Sequence, residues 1–330
     1  MSSLQAHWRR QIEARGATEA RRHGAPCLWH PGRKGMVDLS HQGVVAFRGT
    51  DAREFLQGYL TCDMNDVASD RPVLGALCNL QGRVVTNFVA IERDGAICLR
   101  MHRSLVEPTF DAFSKYIVFS KTKMEDASDR WLRIGFPSGD LLRQAVEPMH
   151  LDESSRGDAT FTLDLPDASS RKELWIDDNE EPGVIDPLLD RVPLMSPAEW
   201  DRIAIQALSP ELTLITSSKY LPQMLGLDAL GAVDFDKGCY LGQEIVARVQ
   251  YRGEHKRELV ALRADNVAEE PALGTTILAG DRAIGEVIMS AKTDRETPAE
   301  LLAVLQRGID LATHTLTLEG VPNGTLSALR

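Results

Sequence analysis

The stretch that decides the reading is Asp236–Gly253, DKGCYLGQEIVARVQYRG. Leu241, Ile245 and Val249 recur every four residues, with Val246 on the same side. That spacing predicts one apolar face of a helix. Asp236, Gly238 and Gly242 lie where the chain turns into it, so Cys239 is expected at or just before the helix start. There, free amides and the helix dipole favour thiolate over thiol, and Lys237 would push the same way. Gly238 and Gly242 would leave the backbone open to close approach by a ligand. The other reading of Cys239 is a small, buried, apolar thiol; the residues alone leave both open.

Working outward, the helix is followed by a change of texture near residues 250–258. RELVALRA, TTILAG, AIGEVIMSA, LLAVLQR and HTLTLEG are short β-prone runs separated by Gly, Asp and Pro, the profile of a small β-barrel or sandwich. Before the helix the pattern is mixed. GVVAFRG reads as a strand. VLGALCN, VVTNFVAIER and AICLRMH read as an antiparallel meander turned at Gln81-Gly82 and Asp94-Gly95. Three capping boxes are expected, at Asp51 with Glu54, Ser104 with Glu107, and Ser196 with Glu199, the last with Pro197 at the first helical position. VFSKTKME, WLRIGF and KELWID read as strands and PSGDLLRQAV as a helix. Residues 150–172, rich in Asp, Ser and Gly, are expected to loop over the surface. The first residues read as a solvated helix; Glu13 and Glu19 argue against a transit peptide, and the polar start does not form a signal peptide.

The chain has 330 residues, 43% hydrophobic and 26% charged, with a formal net charge of -11. Two or three soluble domains are expected: an extension over 1–30, an α+β region of two intertwined subdomains over 31–250, and a β-barrel over 251–330. The acidic balance argues against general nucleic-acid or anionic-lipid binding, and no apolar run is long enough to span a membrane. Five cysteines (Cys27, Cys62, Cys78, Cys98 and Cys239) form no CxxC pair, which fits a reducing cytoplasm and offers no zinc ligand set. The eight histidines are dispersed without metal-ligand spacing, so no metal site is expected. Phosphate-cradle, zincin and serine-hydrolase motifs are absent. RVQYRGEHKR gathers Arg248, Arg252, His255, Lys256 and Arg257, either a solvated turn or a basic rim for a carboxylate or phosphate.

Lys237-Gly238-Cys239-Tyr240, then Gly242-Gln243-Glu244, resembles the K-G-C-Y-x-G-Q-E signature of the YgfZ-type folate-binding proteins. FLQGYLTCD (55–63), KYIVFSK (115–121) and LPQMLGLDALGAVDFDKGCY (221–240) are similar to further blocks of that family. The resemblance implies an α+β fold shared with the glycine-cleavage T-protein: three domains around a folate-accepting cavity, the last a β-barrel. It also implies tetrahydrofolate as ligand and a role in iron–sulfur cluster assembly or repair. The clients it implies are radical-SAM enzymes that modify tRNA in the bacterial cytoplasm, and Cys239 is the residue that activity would need. Trp200 matches a tryptophan associated with folate, or packs on the core; Gln206, Arg248 and Arg252 are the further candidates for folate contacts. Two departures stand out. Thr86 and Asn87 occupy the place of an acidic pair that would handle protons in aminomethyl transfer, and Gln206 and Leu208 replace a glutamate and a glycine. The alternative function, a folate-dependent aminomethyl or one-carbon transferase, is weakened by the first.

Overall fold

The computed structural model describes residues 3–147, 159–253, 255–311, 314–321 and 324–329. Helix α1 (Ser3–Ala14) places Leu4, Trp8 and Ile12 on one buried face. It is therefore docked rather than solvated, because three large apolar residues at four-residue spacing make a continuous stripe. A hairpin follows, β1 (Thr18–Arg22) and β2 (Ala25–Trp29), turned at His23-Gly24, both at positive φ.

After β3 (Val37–Asp38) and β4 (Gln42–Arg48) comes α2 (Ala52–Gln57). The expected meander is β5 (Val73–Cys78), β6 (Val84–Arg93) and β7 (Ala96–His102), with Asp94 and Gly95 both left-handed at the second turn. Helix α3 (Val106–Ile117) and β8 (Lys123–Asp126) complete an antiparallel sheet ordered β5-β6-β7-β4-β8. A second sheet uses β9 (Trp131–Phe136), then β10 (Thr160–Asp164) and β11 (Lys172–Asp177), in the order β10-β11-β9-β3; α4 (Gly139–Val146) lies between β9 and β10. Side chains alternate across β4: Val45 and Phe47 pack with Leu56 and Phe113 of the helices, while Val44 and Ala46 meet Trp131, Phe161 and Trp175 of the second sheet. The two sheets thus pack face to face. The far face of the second sheet, through Ile134, Phe136 and Leu174, receives α1.

Next come α5 (Asp186–Arg191), α6 (Pro197–Gln206) and, after a strap over 207–242, α7 (Gln243–Arg252). The chain ends in a closed antiparallel barrel of β12 (Arg257–Asp265), β13 (Thr276–Ala279), β14 (Arg282–Ala291), β15 (Ala299–Gln306), β16 (Leu316–Leu318) and β17 (Thr325–Ala328), with β12 paired to both β15 and β17. Val287, Leu301 and Ala303 fill the barrel, whereas Ile288, Met289, Leu302 and Val304 join the main core. A register shift between Val287 and Met289 in β14 accompanies that change of face. Among the described residues no helix is long and apolar enough to cross a membrane.

Several expectations need correcting. Asp51 does not cap α2 with its side chain; its carboxylate accepts from Thr50 Oγ1 and the distant Lys121 amide. Ser104 does not cap α3; it bonds His102 and accepts from the Leu214 amide. Ser196 does cap α6, but Glu199 turns to Arg202 instead of closing the box. Within 150–172, Thr160–Asp164 is a strand, because TFTLD alternates and β11 offers an edge; residues 150–158 lie outside the described residues. The hairpin strand β1 (TEARR) and the closing strand β17 (TLSA) carry too few apolar residues to signal themselves.

Trp8 is 2% exposed and its indole N–H donates to Asp38 Oδ1 at 2.9 Å. Replacing it, Trp8→Ala, is expected to cost about 3–5 kcal/mol, read as a lowered urea midpoint; a loss under ~1 kcal/mol would mean that α1 is not part of the cooperative core.

Candidate functional site

The turn that carries Cys239 is built by its neighbours. Asp234 Oδ1 accepts from the amides of Asp236 and Lys237, which folds the chain back on itself. The Lys237 side chain then runs inward. Its ammonium donates to the carbonyls of Gln57, Leu60 and Cys62 at 2.8, 2.7 and 2.8 Å and lies 5.6 Å from the Tyr240 ring centroid. Burial draws its pKa down, and the carboxylates of Asp63 and Asp234 act against that. Tyr240 is buried, and burial pushes its phenol up; its hydroxyl has no partner among the described residues.

Gly242, at φ +81, is the residue before α7, and a Cβ there would collide with the Asn79 carbonyl. The glycine thus serves a close approach of the β5–β6 turn, where Gly82 is also left-handed, and not the approach of a ligand. Gly238 has open space around it. The helix itself begins at Gln243, so Leu241 precedes it. The Gln243 amide donates to Tyr240 O and the Ile245 amide to Gly242 O. The Gln243 and Ile245 amides are thus engaged with the turn, and the Lys237 ammonium with carbonyls at the α2 end rather than with Cys239. Glu244 is exposed and paired with Arg248 at 2.7 Å.

Cys239 is exposed, and the other four cysteines are buried. Burial pushes the thiols of Cys27, Cys62, Cys78 and Cys98 up to about 12. These four are protonated packing groups at neutral pH. Cys239 alone meets solvent, and no packing role explains it.

The folate candidates are not brought together. Trp200 is 1% exposed, packed among Val37, Leu39 and Trp175, with the Arg171 guanidinium 4.7 Å from its ring. Gln206 is exposed and donates to the Glu300 carboxylate of β15 at 2.9 and 3.1 Å. Arg248 and Arg252 flank a surface groove on α7 with Tyr251. Of the two readings of Trp200, the geometry matches the core residue.

Sequence reasoning missed the groups that fill the centre of the molecule. A cavity of about 30 Å³ lies between the first sheet, α6 and β14. Asp167 and Arg171 pair at 2.8 Å across a turn between β10 and β11, and Ser209 Oγ donates to Asp167 at 2.7 Å. Arg100 binds Glu173 at 2.6 Å and Glu211 at 3.0 Å. Asn87 donates to Pro210 O and accepts from the Leu212 amide, so its amide is consumed in holding the strap; Thr86 is buried. The signal available was the Asp-x-Ser-Ser-Arg spacing at 167–171, which suits a tight turn closed by its own ion pair. Among the described residues no group of histidine, cysteine, aspartate and glutamate is placed to hold a metal ion.

Substituting Lys237→Met leaves three carbonyls without their donor. A buried unpaired acceptor costs about 1–3 kcal/mol, so the loss in chemical denaturation is expected to reach about 3 kcal/mol; a neutral result would mean that water replaces the ammonium and the staple is dispensable.

A protein from Colwellia psychrerythraea named tRNA-modifying protein YgfZ is 31% identical over 255 residues, covering 76% of this chain and 77% of the relative. Proteins of the same name from Aliivibrio fischeri (27% over 292 residues, 87% and 89% covered) and Yersinia pestis (30% over 247 residues, 72% and 73% covered) are also similar. No family model matches the chain. Among solved structures, the glycine cleavage system aminomethyltransferase T from Bartonella henselae superposes with a TM-score of 0.78 over 98% of this chain and 96% of that one, at 14% identity, which establishes a shared aminomethyltransferase-like fold. With a relative above 30% identity over three quarters of both chains, a common fold, and the K-G-C-Y-x-G-Q-E turn intact, the chain belongs to the YgfZ family of tRNA-modifying proteins.

Proposed function

We propose that this protein supports tRNA modification in the bacterial cytoplasm by serving iron–sulfur enzymes, radical-SAM tRNA-modifying enzymes among them, through the Cys239 thiol. The observation that carries the reading is the contrast among five cysteines. Four are buried and hold their protons, and the fifth is exposed on a turn that Lys237, Tyr240 and Gly242 make rigid. An exposed thiol on a fixed turn can meet a macromolecular partner, whether to ligate a metal ion or to exchange with a disulfide. The net charge of -11 disfavours direct capture of bulk tRNA, so the effect on tRNA passes through the client.

Tetrahydrofolate, which the family resemblance brings with it, does not fit the central cavity as its side chains stand. Small-molecule sites run to about 300–1,000 Å³, an order of magnitude above the space left by Asp167, Arg171 and Met289. The charged groups there are paired with one another. Folate belongs to this reading only as a ligand admitted when the 167–171 turn withdraws. The aminomethyl-transferase alternative has the fold in its favour, but Thr86 and Asn87 supply no carboxylate, and the Asn87 amide is occupied.

Native protein treated with iodoacetamide at pH 8 is expected to label at Cys239 alone, and unfolded protein at all five sites. Cys239→Ser should leave stability within about 0.5 kcal/mol and abolish restoration of tRNA modification in cells lacking the protein. A Cys239 slower than the buried thiols, or a Cys239→Ser variant that restores modification, would sink the reading. For folate, Asp167→Ala is expected to raise calorimetric affinity about tenfold by removing the acceptor that holds the turn; unchanged or weaker binding would show that the turn does not gate the cavity.

A further inference from the structure

We propose that His41 and His102 form an acid-sensitive latch beneath the N-terminal hairpin, holding β1–β2 closed at neutral pH and releasing it in mild acid. This goes beyond the function proposed above, and the latch shares no residue with the thiol turn.

His102 ends β7 and is fully buried. Its partners fix where its proton sits. The Ser104 amide, 3.3 Å from Nδ1, can only donate, so Nδ1 is an acceptor; the Ser104 hydroxyl, which already accepts from the Leu214 amide, lies 2.8 Å from the same nitrogen. The Arg22 carbonyl, 3.3 Å from Nε2, can only accept, so the ring N–H is there. One neutral imidazole thus joins the hairpin to the short turn Arg103–Leu105 and, through Ser104, to the strap. A second proton, on Nδ1, would point at the Ser104 amide and break that bond. His41 lies next to it, 6.2 Å away between ring centroids. It is 1% exposed, and neither of its ring nitrogens has a partner among the described residues. An imidazolium there would bury two N–H groups without acceptors, which costs more than burying the neutral ring. The hairpin is the element free to move, because β1 and β2 pair only with each other.

The surrounding charges do not rescue the protonated rings. Asp201 of α6 and Glu211 of the strap act on both, Arg100 of β7 acts on His41, and His23 of the hairpin turn lies 6.4 Å from the His102 ring and 3.5 Å from Asp201 Oδ2. The carboxylates favour imidazolium, but Asp201 is paired with Arg22 and Glu211 with Arg100, and Glu270 is on Arg22 as well. Burial outweighs them, drawing His102 below its ordinary value and His41 down to about 3. Burial would raise Asp201 and Glu211, yet Arg22 and Arg100 hold both below the usual carboxylate range, so the histidines are the groups of this junction that respond in mild acid. An imidazole released to water titrates near pH 6.5. Below that pH the open junction binds more protons than the closed one. The stability of the closed form is therefore complete above pH ~6.5 and is lost as the pH falls below it. Each ring that stays neutral when closed raises the open population about tenfold at pH 5.5.

The cysteines report the opening. Cys27 lies on β2 and is buried; Cys62, Cys78 and Cys98 are buried in the body of the molecule; the exposed Cys239 corrects for the effect of pH on the reagent. The full chain is labelled at pH 7.5 and pH 5.5 with dithiodipyridine, which reacts with thiols in acid, and the sites are mapped by mass spectrometry. The Cys27 rate relative to Cys239 is expected to rise about ten- to a hundredfold at pH 5.5, with Cys62, Cys78 and Cys98 still protected. His41→Phe keeps a ring that cannot titrate, and His102→Asn keeps a carbonyl that accepts from the Ser104 amide; each should cut the rise about tenfold. The proposal fails if Cys27 gains nothing on Cys239 in acid, or if the other buried thiols open in step with it, since the whole chain is then unfolding. It fails equally if neither substitution lowers the rise.

Discussion

One guanidinium ties the separate parts of this molecule together. Arg22, on the N-terminal hairpin, donates to Asp201 of α6 at 2.6 Å, to both oxygens of Glu270 at 2.8 Å, and to the Ser290 carbonyl of β14 at 2.6 Å. Burial works against its charge, but Asp201 and Glu270 override that and hold its pKa above the ordinary value. Asp201 in turn is kept well below the usual carboxylate range by Arg22 and His23, against the pull of burial. A buried pair of this kind is costly to break from one side, by about 3–5 kcal/mol, because the remaining charge is stranded. The barrel is thereby fixed against α6, and the hairpin is fixed to both.

With the barrel in place, the strap over 207–242 has a defined path. It is pinned by side chains and a few backbone bonds, with no strand of its own: Asn87 holds 210 and 212, Ser104 holds 214, the Val84 backbone holds 218 and 220, Thr61 holds 232, and Lys237 reaches back to the end of α2. A strap without ladder hydrogen bonds depends on such pins to satisfy its backbone. The last of them sits two residues before Cys239, so the thiol is presented on a short lever fixed at its base. The motif that looks like chemistry is thus mostly scaffolding, with one residue left over for function.

Much of this was legible. The meander followed from Asp94-Gly95 and the alternating strands on either side, the α6 start from Ser196-Pro197, and the barrel from short β-prone runs after Gly253. What stayed hidden depended on distant partners. Asp51 and Ser104 have the residue types and spacing of caps, yet tertiary partners at Lys121 and Leu214 win their hydrogen bonds. Lys237 reads as a charge beside a thiol until the carbonyls nearly 180 positions earlier appear around it. Trp200 and Gln206 share helix α6 and point to different surroundings, a core and a barrel strand. The filled central cavity rests on an ion pair within a turn that composition marks only as polar.

The Arg22 knot also sets an order of events during synthesis. Arg22 leaves the ribosome early, whereas Glu270 and Ser290 follow 248 and 268 residues later. Translation proceeds at about 5–20 residues per second, so the hairpin waits on the order of ten seconds for Asp201, made 179 residues after Arg22, and longer for its barrel partners. During that interval α1 and the hairpin can dock through apolar contacts and near neighbours such as Trp8 with Asp38, and the charged lock closes once the barrel is complete. A chain released before residue 290 is made would carry every residue of the thiol turn and still lack the clasp that holds its frame together.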